Sequence, residues 1–102
     1  MFWRTCAAAL IATPALAGDL RIDVDSFAVD NGIYRVVMKV TNGTSRTLQD
    51  IYIDCVIFDE SMRAIGIAKA NIDHLYPGSQ AYKDATLVSH QDGRFVDCRV
   101  AN

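Results

Sequence analysis

From Leu20 onward, apolar and polar residues alternate with a period of two, the period of β-strands. Leu20, Ile22 and Val24 alternate with Arg21, Asp23 and Asp25. Phe27 and Val29 are apolar as well, so the phase shifts, which predicts a bulge at Asp25-Ser26. Asn31-Gly32 follows; both residues tolerate positive φ, and the pair predicts a two-residue hairpin. Tyr34, Val36, Met38 and Val40 then alternate with Arg35, Val37, Lys39 and Thr41. The third run carries Ile51, Ile53, Cys55 and Ile57 on one face and Tyr52, Asp54, Val56 and Phe58 on the other. A last strand over 95–100 places Val96, Cys98 and Val100 inward, with Phe95, Asp97 and Arg99 outward.

Between these runs lie turn signals at Asn42-Gly43, Asp59-Glu60-Ser61, Pro77-Gly78 and Asp92-Gly93. The stretch 61–75 is ambiguous. Ser61 is a possible cap for a helix carrying Met62, Ile65, Ala68 and Ile72, but Gly66 and the β-branched Ile65 and Ile67 favour a strand over 64–70. A further strand is read over 80–89. Six or seven short antiparallel strands without a helix predict an all-β sandwich.

Ahead of the first strand the pattern is different. Arg4 precedes an apolar run over 6–16, and Ala15-Leu16-Ala17 is a small-x-small site before Gly18. Residues 1–17 therefore read as a secretory signal peptide, too short to span a bilayer, and 18–102 as the mature domain. Cys6 stands at the start of the apolar run instead of following the cleavage site, so it is not placed to carry a lipid anchor, and no membrane anchor is expected. The location expected is periplasmic or secreted.

Loss of the leader leaves Cys55 and Cys98, an even pair in a small exported domain, and both fall on the apolar phase of their strands. A Cys55–Cys98 disulfide is expected. Without Arg4, nine basic residues face twelve acidic ones, a net charge of −3 with no run of like charge. That balance argues against nucleic acid or anionic lipid as partner, since both call for clustered positive charge.

Beside this pattern stands a resemblance. Cys55-Val56-Ile57-Phe58-Asp59 resembles the F-x-L-Y-D motif of the FxLYD-type domains, small bacterial immunoglobulin-like sandwiches found mostly outside the cytoplasm. Cys55 stands at the motif's phenylalanine, Ile57 at its leucine, Phe58 at its tyrosine, and Asp59 matches directly. Val40-Thr41-Asn42-Gly43-Thr44, followed by Leu48 and Ile51, is similar to the family's V-x-N-x-S/T segment. Residues 59–66 look like its D-x-x-G-x-x-I-G hairpin, and Leu75-Tyr76-Pro77-Gly78-Ser79 like its L-x-P-G-E turn. The likeness covers about 36–82 and departs at Cys55, at Ser79, and at Met62, where the family favours glycine. It implies an immunoglobulin-like fold and an exported accessory or binding module, and brings no catalytic residues.

The candidate chemistry is sparse. His74 follows Asp73 and His90 lies near Asp92, but no ligand spacing unites them, so neither a metal nor another cofactor is expected. The serines lie in turns or at strand ends without a nucleophile motif, and no enzymatic role is expected. Asn42-Gly43-Thr44 matches a glycosylation acceptor but serves equally as a turn. Large apolar groups on the outward phase carry more information. Tyr52, Phe58 and Phe95 fall on the face opposite the core and form a candidate protein-binding surface for a partner in the envelope. The alternative is a secreted inhibitor of a hydrolase that inserts the 73–79 loop, with His74 and Tyr76, into its target.

Overall fold

Residues 19–101 are described by a computed structural model. Six antiparallel strands make two three-stranded sheets: β1 (Leu20–Asp30), β2 (Ile33–Asn42), β3 (Leu48–Phe58), β4 (Ala64–Leu75), β5 (Gln80–Val88) and β6 (Phe95–Val100). One sheet has the order β1-β2-β5, the other β4-β3-β6. The chain makes a hairpin in each sheet, then returns β5 beside β2 and β6 beside β3. The result is an immunoglobulin-like β-sandwich. The expected leader, 1–17, and its cleavage site lie outside the described residues.

The core forms where the inward phases meet. Tyr34, Val36, Met38 and Val40 of β2 pack against Ile51, Ile53, Cys55 and Ile57 of β3, and Ala68, Ile72, Leu75 and Ala85 complete the buried set. Every one of the eight positions assigned to the interior of β2 and β3 is buried. These two are the central strands, covered on one face by the opposite sheet and flanked on both edges. β1 pairs with β2 as the pattern predicts, with a register shift between Val24 and Ser26. Asn31 and Gly32 both take positive φ, 53° and 76°, so the hairpin closes in the manner that matches strand twist.

Three departures from the sequence pattern have physical causes. β4 runs on to Leu75 instead of ending at residue 70, because Asn71 and Asp73 occupy its exposed phase while Ile72 reaches the core. Ile65 is the extra residue where Ile57 pairs with Gly66 and Phe58 with Ala64. In β6 the inward phase is only half-covered, and Val100 remains 39% exposed, because β6 is an edge strand with a neighbour on one side alone.

Cys55 and Cys98 are directly opposed partners on β3 and β6 and form the expected disulfide, with an S–S distance of 2.03 Å. The bond joins neighbours within one sheet and fastens the short edge strand β6 to the central strand.

Two polar groups brace the ends. Asn42 is wholly buried at the end of β2. Its Nδ2 donates to the carbonyls of Arg46 and Leu75, both at 2.8 Å, and its Oδ1 accepts from the Thr44 amide at 2.9 Å and the Thr44 hydroxyl at 2.6 Å. Its backbone is paired too, with Ser79 and Gly78. Asn42 thereby fastens two of the three crossings between the sheets, β2 to β3 and β4 to β5, and its amide is committed to these bonds, not displayed for a glycan. At the opposite end the Tyr34 hydroxyl donates to the Gln91 carbonyl and accepts from the Gly93 amide at 2.8 Å. Gly93 is needed there for space, since a Cβ would lie 2.6 Å from Cγ2 of Ile57.

Candidate functional site

The outer face of β4-β3-β6 is built by register. Tyr52 pairs with Asn71, Asp54 with Lys69 and Arg99, Val56 with Ile67 and Asp97, and Phe58 with Phe95. All of these side chains stand on the phase opposite Ile53, Cys55 and Ile57, and so emerge on one surface.

Phe58 and Phe95 are cross-strand partners, and Val56 and Ile67 form the next row on the same face. These four groups make one apolar cluster, because directly opposed and diagonal side chains on a sheet face lie within reach of one another. Phe95 is 49% exposed and Ile67 45%, while Phe58 and Val56 are half-buried. At the adjoining end of the sheet the hairpin tip presents Met62, which is also exposed.

Tyr52 does not join that cluster. It is 50% exposed, but it lies six residues from Phe58 along β3, roughly 20 Å at the rise of an extended strand. The row between them is charged: Lys69 Nζ lies 3.1 Å from Asp54, and Arg99 stands on the other side. Asp97 forms an ion pair with Arg99. The three aromatics predicted as one surface thus divide into a Phe58–Phe95 cluster and a separate Tyr52. Phase assigns a residue to a face; only register assigns its place along that face. Ile67 was the missing member, and its signal was its position opposite Val56, which requires knowing that β3 and β4 form a hairpin closed at Asp59.

The rim beyond Phe95 is charged. Asp92 and Arg94 pair at 3.0 Å, and the hydrogen bond to the Asp92 carboxylate raises the Arg94 pKa above its ordinary value. The outer face of β1-β2-β5 is different in character. It carries Arg21, Asp23, Arg35, Lys39, Asp84 and Thr86, with an Arg35–Asp84 pair at 3.8 Å; its exposed apolar groups are the cross-strand pair Ile33 and Val88 and, apart from them, Tyr82, and they include no phenylalanine.

The 73–79 loop is shorter than the sequence suggests. His74 belongs to β4, opposite Gln49, and only 76–79 form the turn. Ser79 donates to the Tyr76 carbonyl at 3.0 Å and Gly78 takes φ 75°, a tight turn opened by Pro77. Tyr76 is exposed, and its ring meets His74 edge-on at 5.3 Å between centroids. His90 lies in the loop that the Ser89 amide joins to Gly32, and the 76–79 turn is bonded to Asn42, so the two histidines sit at opposite ends of β2. Among the described residues no three His, Cys, Asp or Glu side chains converge on a point where a metal could bind. Among the same residues no helix is long and apolar enough to cross a membrane.

Compared with protein-family models, with characterised proteins and with solved structures, the chain shows no match.

Proposed function

We propose that this chain is an exported, non-enzymatic accessory module that binds a protein partner through the Phe58–Phe95 end of its β4-β3-β6 face. The observation that carries the reading is the apolar quartet of Ile67, Val56, Phe58 and Phe95, half open to solvent and bounded by charged groups. An apolar centre with a polar rim is the anatomy of a recognition surface, and aromatic groups at such a centre supply most of the binding energy. The acidic balance of the domain favours protein over nucleic acid or anionic lipid. The leader-like residues 1–17 and the disulfide support a periplasmic or secreted location. The FxLYD-type resemblance supports the same reading, since its motif positions fall on β3 and on the turns at 59–63 and 76–79. The inhibitor alternative rests on Tyr76 alone, presented by a tight turn, and is the weaker of the two.

A photo-crosslinking residue at position 95 tests the proposal. In the native envelope it should trap one defined protein, whereas the same probe at Val88, 72% exposed on the other sheet, should not. Equal trapping from both positions, or none from 95, would contradict it. Export is tested separately: the intact mass of periplasmic material should correspond to a chain beginning at Gly18.

A further inference from the structure

Among the described residues, each sheet ends in strands whose outer backbone groups have no neighbouring strand, and such edges pair with other chains unless something blocks them. Three of the four edges here carry a block. β1 is bent by its bulge between Val24 and Ser26. β5 has Lys83 opposite Met38, a charge in the inward phase of the strand. β6 is only six residues long. β4 is twelve residues long and contains no proline; its own bulge, at Ile65, lies near one end, and the strand is regular from Gly66 to Ile72.

The disulfide reveals which backbone groups β4 leaves free. Cys55 and Cys98 are 3.9 Å apart at Cα, the close spacing of a pair that exchanges no backbone hydrogen bonds. Cys55 therefore directs its N–H and C=O toward β4, and the neighbouring even positions direct theirs toward β6, as the bond from the Ala101 amide to the Tyr52 carbonyl at 2.7 Å requires. By register, Ala68, Ala70 and Ile72 bond to β3. Ile67, Lys69 and Asn71 then present their N–H and C=O groups at the open edge; beyond Ile72 the alternation breaks, opposite Asp50 at φ 52°.

We infer that the β4 edge pairs with the β4 edge of a second copy of this chain, antiparallel, with Asn71 opposite Asn71 on the two-fold axis. An isologous contact requires the strand to complement itself. In this register Lys69 of each copy faces Asp73 of the other, so the two charged positions match twice. A register two residues shorter at each end of the pairing would set Lys69 against Lys69, and like charges directly opposed are unfavourable. The pairing joins both β4-β3-β6 sheets into one six-stranded sheet and leaves the Phe58–Phe95 cluster on its outer face. It uses the edge and not the face, so it stands independently of the binding role proposed above.

The test is covalent capture combined with solution mass. A hydrogen-bonded antiparallel pair has Cα atoms about 5.5 Å apart, within the range a disulfide spans. Asn71→Cys should therefore oxidise to a linked dimer, whereas Lys69→Cys, one pair from the axis, should not. The unsubstituted chain should show a concentration-dependent dimer by sedimentation. Asp73→Lys should abolish that dimer, and adding Lys69→Asp should restore it. A monomer throughout the accessible concentration range, or linkage through position 69 as readily as through 71, would overturn the inference.

Discussion

Cys55 and Cys98 face each other directly across β3 and β6, 43 residues apart in sequence, and the bond between them ties the last strand to the centre of the fold. Its partners differ in exposure: Cys55 is wholly buried, Cys98 only half-covered. Closing a loop of that length contributes about 4 kcal/mol by restricting the unfolded chain. Native stabilities are commonly only about 5–15 kcal/mol, so a domain of this size depends on the bond. Cys98→Ala is expected to lower the unfolding free energy, measured by chemical denaturation, by an amount approaching that figure and to leave one reactive thiol in the unfolded chain. Two free thiols in the unreduced, unfolded native sequence would contradict the pairing.

Asn42 supports the opposite end of the sandwich. Asn42→Ala would leave the carbonyl of Leu75, in a buried bond, and the Thr44 amide without their partners. Unsatisfied buried groups cost about 1–3 kcal/mol each, so a loss of roughly 2–4 kcal/mol is expected by chemical denaturation. Asn42→Asp is expected to be at least as damaging near neutral pH, because a carboxylate cannot donate to the Arg46 and Leu75 carbonyls.

The 59–63 turn offers a gain. The Asp59 carboxylate accepts from the Ser61 and Arg63 amides, each at 2.9 Å, and holds Met62 at φ 64°, a conformation that glycine adopts without penalty. Met62→Gly is expected to raise stability by about 0.5–1 kcal/mol, the relief of strain exceeding the added freedom of the unfolded chain. Asp59→Ala should lower it by about 1–3 kcal/mol, since two bonds to a charged acceptor are lost. Thermal melts of the two variants should move in opposite directions.

Tyr34 holds the 89–94 loop through its hydroxyl. Tyr34→Phe keeps the ring against Phe27, 6.0 Å between centroids, but leaves the Gly93 amide without its acceptor. A loss of about 1–3 kcal/mol is expected, with faster amide exchange confined to that loop.

Much of this architecture is legible from side-chain phase. A central strand such as β3 is packed on both edges and on one face, so Ile51, Ile53, Cys55 and Ile57 declare the core unambiguously. The bulge near Ser26 and the Asn31-Gly32 hairpin are equally local, each specified by a few adjacent residues. Edge strands obscure the signal: Asn71 and Asp73 look like the end of a strand because the exposed side of β4 tolerates polar residues. Asn42 hides its role because its partners, Arg46 and Leu75, come from two different crossings. The candidate surface was legible as a face but not as a location, and Tyr52 separated from Phe58 and Phe95 once the charged row of Lys69, Asp54 and Arg99 fell between them.

The role of the Phe58–Phe95 cluster is tested most directly by Phe95→Ser, with partner capture from envelope extract and melting temperature measured on the same preparation. Phe95 is half exposed on an edge strand, so its loss should cost the isolated domain about 1 kcal/mol or less, the usual range for a side chain outside the core. The account predicts that capture is lost while the melting temperature changes little. Undiminished capture by a folded Phe95→Ser domain would contradict it.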